Sequence, residues 1–151
     1  MSTQLLGEFE CKLDDKSRFI LPAMLKKQLP NEQSDTFVIN RGIENCLVLY
    51  PKYEWNQLVE KISQLNQFVK KNRDFVRHFY RGATELTLDS ANRLLLPKTL
   101  KEYAGIQKDM IMTANINKME IWDKSIYEKM LNEEPDDFSS MAEEVMGNII
   151  I

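Results

Sequence analysis

The 151 residues include one histidine, His78, and two cysteines, Cys11 and Cys46, 35 positions apart. That set is too small and too widely spaced for a zinc centre built on Cys and His. Both cysteines read as reduced, buried residues of a cytosolic protein. Only five glycines and five prolines occur, in a chain that is 43% hydrophobic and 28% charged. This excludes collagen-like, low-complexity and disordered chains. No apolar run approaches the roughly 20 residues that span a bilayer, and Met1 to Leu6 is not a signal peptide. A phosphate-cradling glycine loop, G-x-S-x-G and H-E-x-x-H are all missing. Asp14 and Asp15 are adjacent carboxylates, but neighbouring side chains diverge on a turn and nothing converges on them. The expectation is a cytoplasmic protein that is not an enzyme, with no cofactor, no metal, no small-molecule substrate and no membrane. What remains is one ordinary domain, or two very small ones, in a chain long enough to bury roughly 70% of its unfolded surface.

Charge is unevenly placed. The net charge is −3, yet residues 131–151 hold six acids and no Lys or Arg. Residues 1–130 therefore carry 20 basic and 17 acidic groups, a net of +3. An acidic tail on a mildly basic body is compatible with nucleic-acid binding without implying it.

The chain is written twice. Residues 7–26, GEFECKLDDKSRFILPAMLK, lie over residues 82–101, GATELTLDSANRLLLPKTLK, with a constant offset of 75 and nine identities in twenty positions. Further on, and with a small deletion, CLVLYPKYEW (46–55) matches KMEIWDKSIY (118–127). Self-similarity of this kind marks a repeated structural unit. The predicted division is a first repeat at 7–53, a helical linker at 54–81, a second repeat at 82–125 and an acidic helical tail at 126–151.

Each repeat predicts the same elements. Residues 8–13 alternate polar and apolar, the period of a half-buried strand. Residues 14–17 form a polar turn, and Arg18 to Leu21 a second strand, buried on both faces because its apolar run is continuous. Pro22 suits the start of a short helix over 23–29. Strands follow at 37–39 and 46–50. In the second repeat the strands are 85–88, 93–96, 110–113 and 119–122, with a helix over 98–104. Between the repeats, Trp55, Leu58, Val59, Ile62 and Leu65, and then Phe75, Val76, Phe79 and Tyr80, recur at helical spacing and read as core, with a break at Asn66. In the tail, Asp136 or Asp137 caps a helix whose apolar stripe is Phe138, Met141, Ala142, Val145 and Ile149.

The recurring element is Leu-Asp-x-x-x-Arg-x-x-Leu-Pro. An Asp that opens a tight turn accepts backbone N–H groups two residues on, and an Arg four residues later returns beside it. Asp14, Asp89 and Arg93 therefore read as structural turn residues. Lys12, Lys16 and Arg18 put cations at the tip of the first hairpin, which suits a nucleic-acid backbone or groove. Arg18 has two open roles, DNA contact or salt-bridge partner of its turn. At matched positions the second hairpin has Thr87 and Ala91 where the first has Lys12 and Lys16.

LDDKSRFILP (13–22) and LDSANRLLLP (88–97) resemble the two Asp-x-x-x-Arg motifs of the MraZ family. RHFYRGATELTLD (77–89) and MEIWD (119–123) carry the resemblance over nearly the whole chain. It implies an α+β fold of two tandem AbrB/SpoVT-type swapped-hairpin β-barrel halves with pseudo-twofold symmetry, linked by helices and followed by a C-terminal helix. It further implies a nucleoid-associated transcriptional regulator. Such a protein acts as a ring-shaped homo-oligomer on repeated boxes of double-stranded promoter DNA and represses its own division and cell-wall operon. In that setting Lys16 and Arg18 are the leading DNA contacts. The family carries Gly before the motif Arg, where this chain has Ser17 and Asn92; Asn tolerates the left-handed conformation, Ser less readily. Competing expectations are a ring-forming interaction scaffold and an antitoxin-like module.

Overall fold

The duplication in sequence becomes an exchange of strands in space. The computed structural model describes residues 4–30, 35–133 and 138–147. The first half supplies β1 (Leu5–Lys12), β2 (Arg18–Ile20), α1 (Ala23–Gln28), β3 (Thr36–Arg41) and β4 (Leu47–Pro51), followed by α2 (Lys52–Ser63) and α3 (Lys70–Tyr80). The second supplies β5 (Thr84–Thr87), β6 (Arg93–Leu95), α4 (Lys98–Ala104), β7 (Asp109–Ile116) and β8 (Lys118–Asp123), followed by α5 (Lys124–Glu133) and α6 (Phe138–Met146).

Six strands form one sheet in the order β1-β7-β8-β4-β3-β5, and β2 pairs with β6 in a separate ribbon. All these pairings are antiparallel. β1 of the first half thus lies on β7 of the second, and β5 of the second on β3 of the first. This is the swapped arrangement of an α+β fold. The registers show the pseudo-twofold relation directly. In the ribbon, Phe19 faces Leu94, residues related by the repeat offset of 75. At the sheet centre Val48 faces Glu120, which occupy matched positions of the second alignment block. Symmetry-related residues meet face to face only on a twofold axis.

Both halves feed one core. Phe19, Leu21, Leu25, Phe37, Ile39 and Leu49 pack in one cluster with their counterparts Leu94, Leu96, Leu100, Met110, Met112 and Ile121. Pro22 and Pro97 each stand immediately before a helix, with φ of −54° and −62°, the only range the pyrrolidine ring allows. Gly105 ends α4 at φ +67°, the left-handed closure glycine accommodates without a Cβ clash.

Three expectations need correction. β2 is not buried on both faces: Phe19 is 1% exposed, but Ile20 is 61% exposed, as its counterpart Leu95 is at 56%. A three-residue strand in a two-stranded ribbon has only one side to cover. The aromatics of α3 are not core either. Trp55 and Ile62 of α2 are buried, whereas α3 buries no residue and Phe75 is 51% exposed. Phe79 stacks on Trp55 at 5.5 Å, and the buried Asn40 amide donates to the Phe79 carbonyl at 2.6 Å; these two contacts hold the helix by one edge. Finally, α2 and α5 follow their preceding strands directly, beginning at Lys52 and Lys124, so helix starts before each expected repeat boundary. Asn66 does mark the break, with its side chain accepting the Phe68 N–H at 2.9 Å. Of the predicted tail, Asp136, Asp137 and Ile149 lie outside the described residues.

Candidate nucleic-acid interface

The first turn is built around one carboxylate. The Arg18 carbonyl accepts the Asp14 N–H at 2.8 Å, and the Asp14 carbonyl accepts the Ser17 N–H at 3.0 Å. Asp14 Oδ1 accepts the N–H groups of Lys16 and Arg18, and Oδ2 accepts Arg18 Nε, all at 2.9 Å. Ser17 takes the left-handed conformation, φ +59°. A tight turn followed by one left-handed residue is a standard three-residue hairpin loop, and Gly is its usual occupant. The carboxyl of Asp14 is held below its ordinary value, chiefly by the Arg18 N–H and further by the Lys16 N–H and the guanidinium.

The second turn repeats this geometry. Asp89 Oδ1 accepts the Ala91 and Arg93 N–H groups and Oδ2 accepts Arg93 Nε, again at 2.9 Å. Asn92 has φ +59°, and the Asp89 carboxyl is likewise lowered, first by the Arg93 N–H. The two turns also stitch the halves together. The Ser17 carbonyl accepts the Leu96 N–H at 2.8 Å, and the Asn92 carbonyl accepts the Leu21 N–H at 2.9 Å. Each left-handed residue therefore aims its carbonyl at the other half.

Alternation along the ribbon decides what faces outward. With Phe19 and Leu94 turned into the core, Arg18, Ile20, Arg93 and Leu95 lie on the opposite side. Arg18 sits across from Leu95, and Ile20 across from Arg93. The arginines are thus diagonal neighbours, roughly 7–8 Å apart by sheet geometry. Their side chains are 28% and 31% exposed. Each spends Nε on its aspartate, and the terminal amino groups have no partner among the described residues. A planar guanidinium held this way keeps donors for a phosphate or a base edge.

The lysines distinguish the two turns. Lys16 is exposed, without an ion pair among the described residues. The Lys12 side chain is 75% exposed and only 4.0 Å from Asp109. Thr87 and Ala91, at the matched positions, are exposed and uncharged. The structure brings Lys16, Arg18, Asp14, Asp89 and Arg93 to the two ends of one short ribbon, with Lys12 at the end of β1 next to the first turn. It also shows what sequence reasoning missed. Lys26 and Lys27 of α1 line an open hollow of about 440 Å³ beside Ala91 and Asn92, and Lys26 Nζ donates to the Asn92 side chain at 2.7 Å. The adjacent lysines were the available signal, but only strand exchange carries them to the other half's turn.

The cysteines take no part. Burial pushes the Cys11 thiol up to about 11 and the Cys46 thiol to about 12, so neither forms a thiolate near neutral pH. Among the described residues no three His, Cys, Asp or Glu side chains group as a metal cage, and no helix is long and apolar enough to cross a membrane.

The MraZ family model, described as "MraZ protein, putative antitoxin-like", matches twice, at residues 4–78 and 79–148. The chain belongs to the MraZ family. The two matches fall on the two structural halves. A protein of Christiangramia forsetii named "Transcriptional regulator MraZ" is 49% identical over 145 residues, covering 95% of this chain and 94% of its own length. A protein of Flavobacterium psychrophilum with the same name is 44% identical, covering 96% and 93%. A third so named, from Clostridium beijerinckii, is 42% identical, covering 93% and 95%.

Proposed function

We propose that this MraZ-family protein is a transcriptional regulator that binds double-stranded promoter DNA through its first turn. The observation that carries the reading is a rigid, solvent-facing turn. Asp14 holds Arg18 by Nε, Lys16 stands exposed without an ion pair among the described residues, and Lys12 beside it is exposed with one long contact to Asp109. The lysines supply phosphate contacts, and the pre-oriented guanidinium is suited to a base edge or a bidentate phosphate contact. One such turn makes few contacts. A ring-shaped homo-oligomer presents many, and engagement of successive promoter boxes raises avidity by roughly 10²–10⁴ through tethering alone. The target is the promoter of the protein's own division and cell-wall operon, the outcome is repression, and the setting is the cytoplasm and its nucleoid.

The test is a mobility shift and footprint on the DNA upstream of the protein's own gene. Protection of regularly spaced boxes, lost in Arg18→Ala protein that is still folded at the assay temperature, is the expected result. A chain that assembles but shifts no DNA at low salt is an interaction scaffold, and the proposal fails.

A further inference from the structure

Two helices at matched places in the two halves carry opposite charge. α3 and α6 each come second after the last strand of their half, behind α2 and α5. Residues 70–81 hold Lys70, Lys71, Arg73, Arg77 and Arg81 against the single acid Asp74. α6 holds Glu143 and Glu144 and no Lys or Arg, and four more acids precede it in the sequence, between positions 133 and 137. Neither helix buries a residue, yet each has an apolar side. α6 exposes Phe138 (76%), Met141 and Val145 (71%), the i, i+3, i+7 spacing of one helix face. α3 exposes Phe75 and Tyr80, with Phe68 and Val69 just before it.

The α3 surface is also shaped to receive something. Phe75 and Phe79 line an open hollow of about 330 Å³ together with Tyr103, and Arg41, His78 and Arg81 border it. Arg41 lies over the Tyr103 ring at 4.6 Å, and its Nε has no acceptor among the described residues. An aromatic lining with a cationic border matches an occupant that is apolar on one side and acidic around it. Such a segment exists in this chain. α3 packs on β3, next to the β5 edge of the sheet, whereas α5, which leads into α6, packs on β7 and β8 toward the β1 edge. α3 and the helix that leads into α6 thus lie on opposite sides of the pseudo-twofold axis. That disposition matches head-to-tail pairing between copies, a heterologous contact that closes into rings when the rotation allows.

We infer that the acidic helix α6 of one copy docks its Phe138–Met141–Val145 face on the basic, aromatic α3 surface of a neighbouring copy. The inference rests on the self-assembly included in the proposed function, and it names the surfaces that make it. Three chains test it, each checked for an unchanged melt: Arg77→Glu/Arg81→Glu, Glu143→Lys/Glu144→Lys, and the combination of all four. Mass is read by light scattering at micromolar concentration. Each double variant alone is expected to fall to the single-chain mass. A one-to-one mixture is expected to recover the assembly, because the substituted positions of α3 in one variant then meet substituted positions of α6 of the opposite charge in the other, and the unsubstituted surfaces meet as in the wild type. The four-fold variant is expected to assemble unaided, and Phe138→Asp to dissociate the wild-type assembly. Double variants that keep the wild-type mass overturn the α3–α6 contact and leave self-assembly standing. Double variants that stay monomeric when mixed also overturn it, placing the helix contact within one chain. A wild-type protein that is monomeric throughout overturns both readings.

Discussion

Around Asp14 and around Asp89 the chain makes the same five hydrogen bonds, with lengths that agree to 0.2 Å or better. The arginines are held alike, the residues before them share φ +59°, and both carboxyls are lowered by the same donors. The surfaces differ all the same: Lys12 and Lys16 stand where the second turn has Thr87 and Ala91. The skeleton of the turn and the charge it displays are therefore independent properties. The first belongs to the fold, because each turn stitches the opposite half, and it has to be kept twice. The second can be kept once.

The largest expected effects test the part that the halves share. Phe19→Ala is expected to cost about 3–5 kcal/mol and Leu94→Ala about 2–5 kcal/mol, since both side chains fill one core. Denaturant melts should show a single transition in each case. If Leu94→Ala instead melts the second half separately, the common core is wrong.

DNA binding tests the part that differs. Arg18→Ala and Arg93→Ala remove the same internal contacts, so their losses of stability should match, and any difference in affinity reports on DNA. The expected loss is roughly tenfold or more for Arg18→Ala, while Arg93→Ala acts first on stability or assembly. Lys16→Ala should lower the log–log salt slope by about 0.9 per turn engaged; Ala91→Lys should raise it only if the second turn also meets DNA. Equal loss of DNA by folded, assembled Arg93→Ala and Arg18→Ala proteins would remove the division of labour between the turns.

Acid should erase the likeness at both turns together. Asp14 and Asp89 titrate below the ordinary aspartate value in the folded protein, chiefly because each carboxylate accepts the N–H of its arginine. A depressed carboxyl contributes stability that is present above its unfolded value and disappears as pH falls through its folded one. Melting temperature should therefore drop below about pH 4, and Asp14→Asn should flatten part of that drop. The smallest effect concerns the left-handed residues. Ser17→Gly should stabilise by about 1 kcal/mol, the cost of a Cβ in that conformation. Asn92→Gly should gain less, because it gives up the Lys26 contact.

The repeat, its strands and the short helices after Pro22 and Pro97 were legible because local alternation and identical motifs mark them. Asp14 and Asp89 were legible as turn residues for the same reason: their partners lie within four positions. Other features depend on pairing between distant segments. The exposure of Ile20 follows from the ribbon being only two strands wide, which a continuous apolar run cannot reveal. The aromatic periodicity of α3 marks an apolar face correctly but does not say what covers it. The approach of Lys26 to Asn92 spans 66 positions and exists only because the halves trade strands.

Strand exchange also orders events in time. β1 emerges from the ribosome first, yet the strand it pairs with ends at Ile116. At about 5–20 residues per second, the wait for that partner is roughly 5–20 s. Throughout it, the apolar face of β1 has no native sheet to join, and β2 waits for β6. Folding is consequently post-translational in character: little of the final structure can lock in until β7 and β8 have been made. The first half in isolation is an incomplete sheet with open edges, the kind of segment that pairs with another copy of itself.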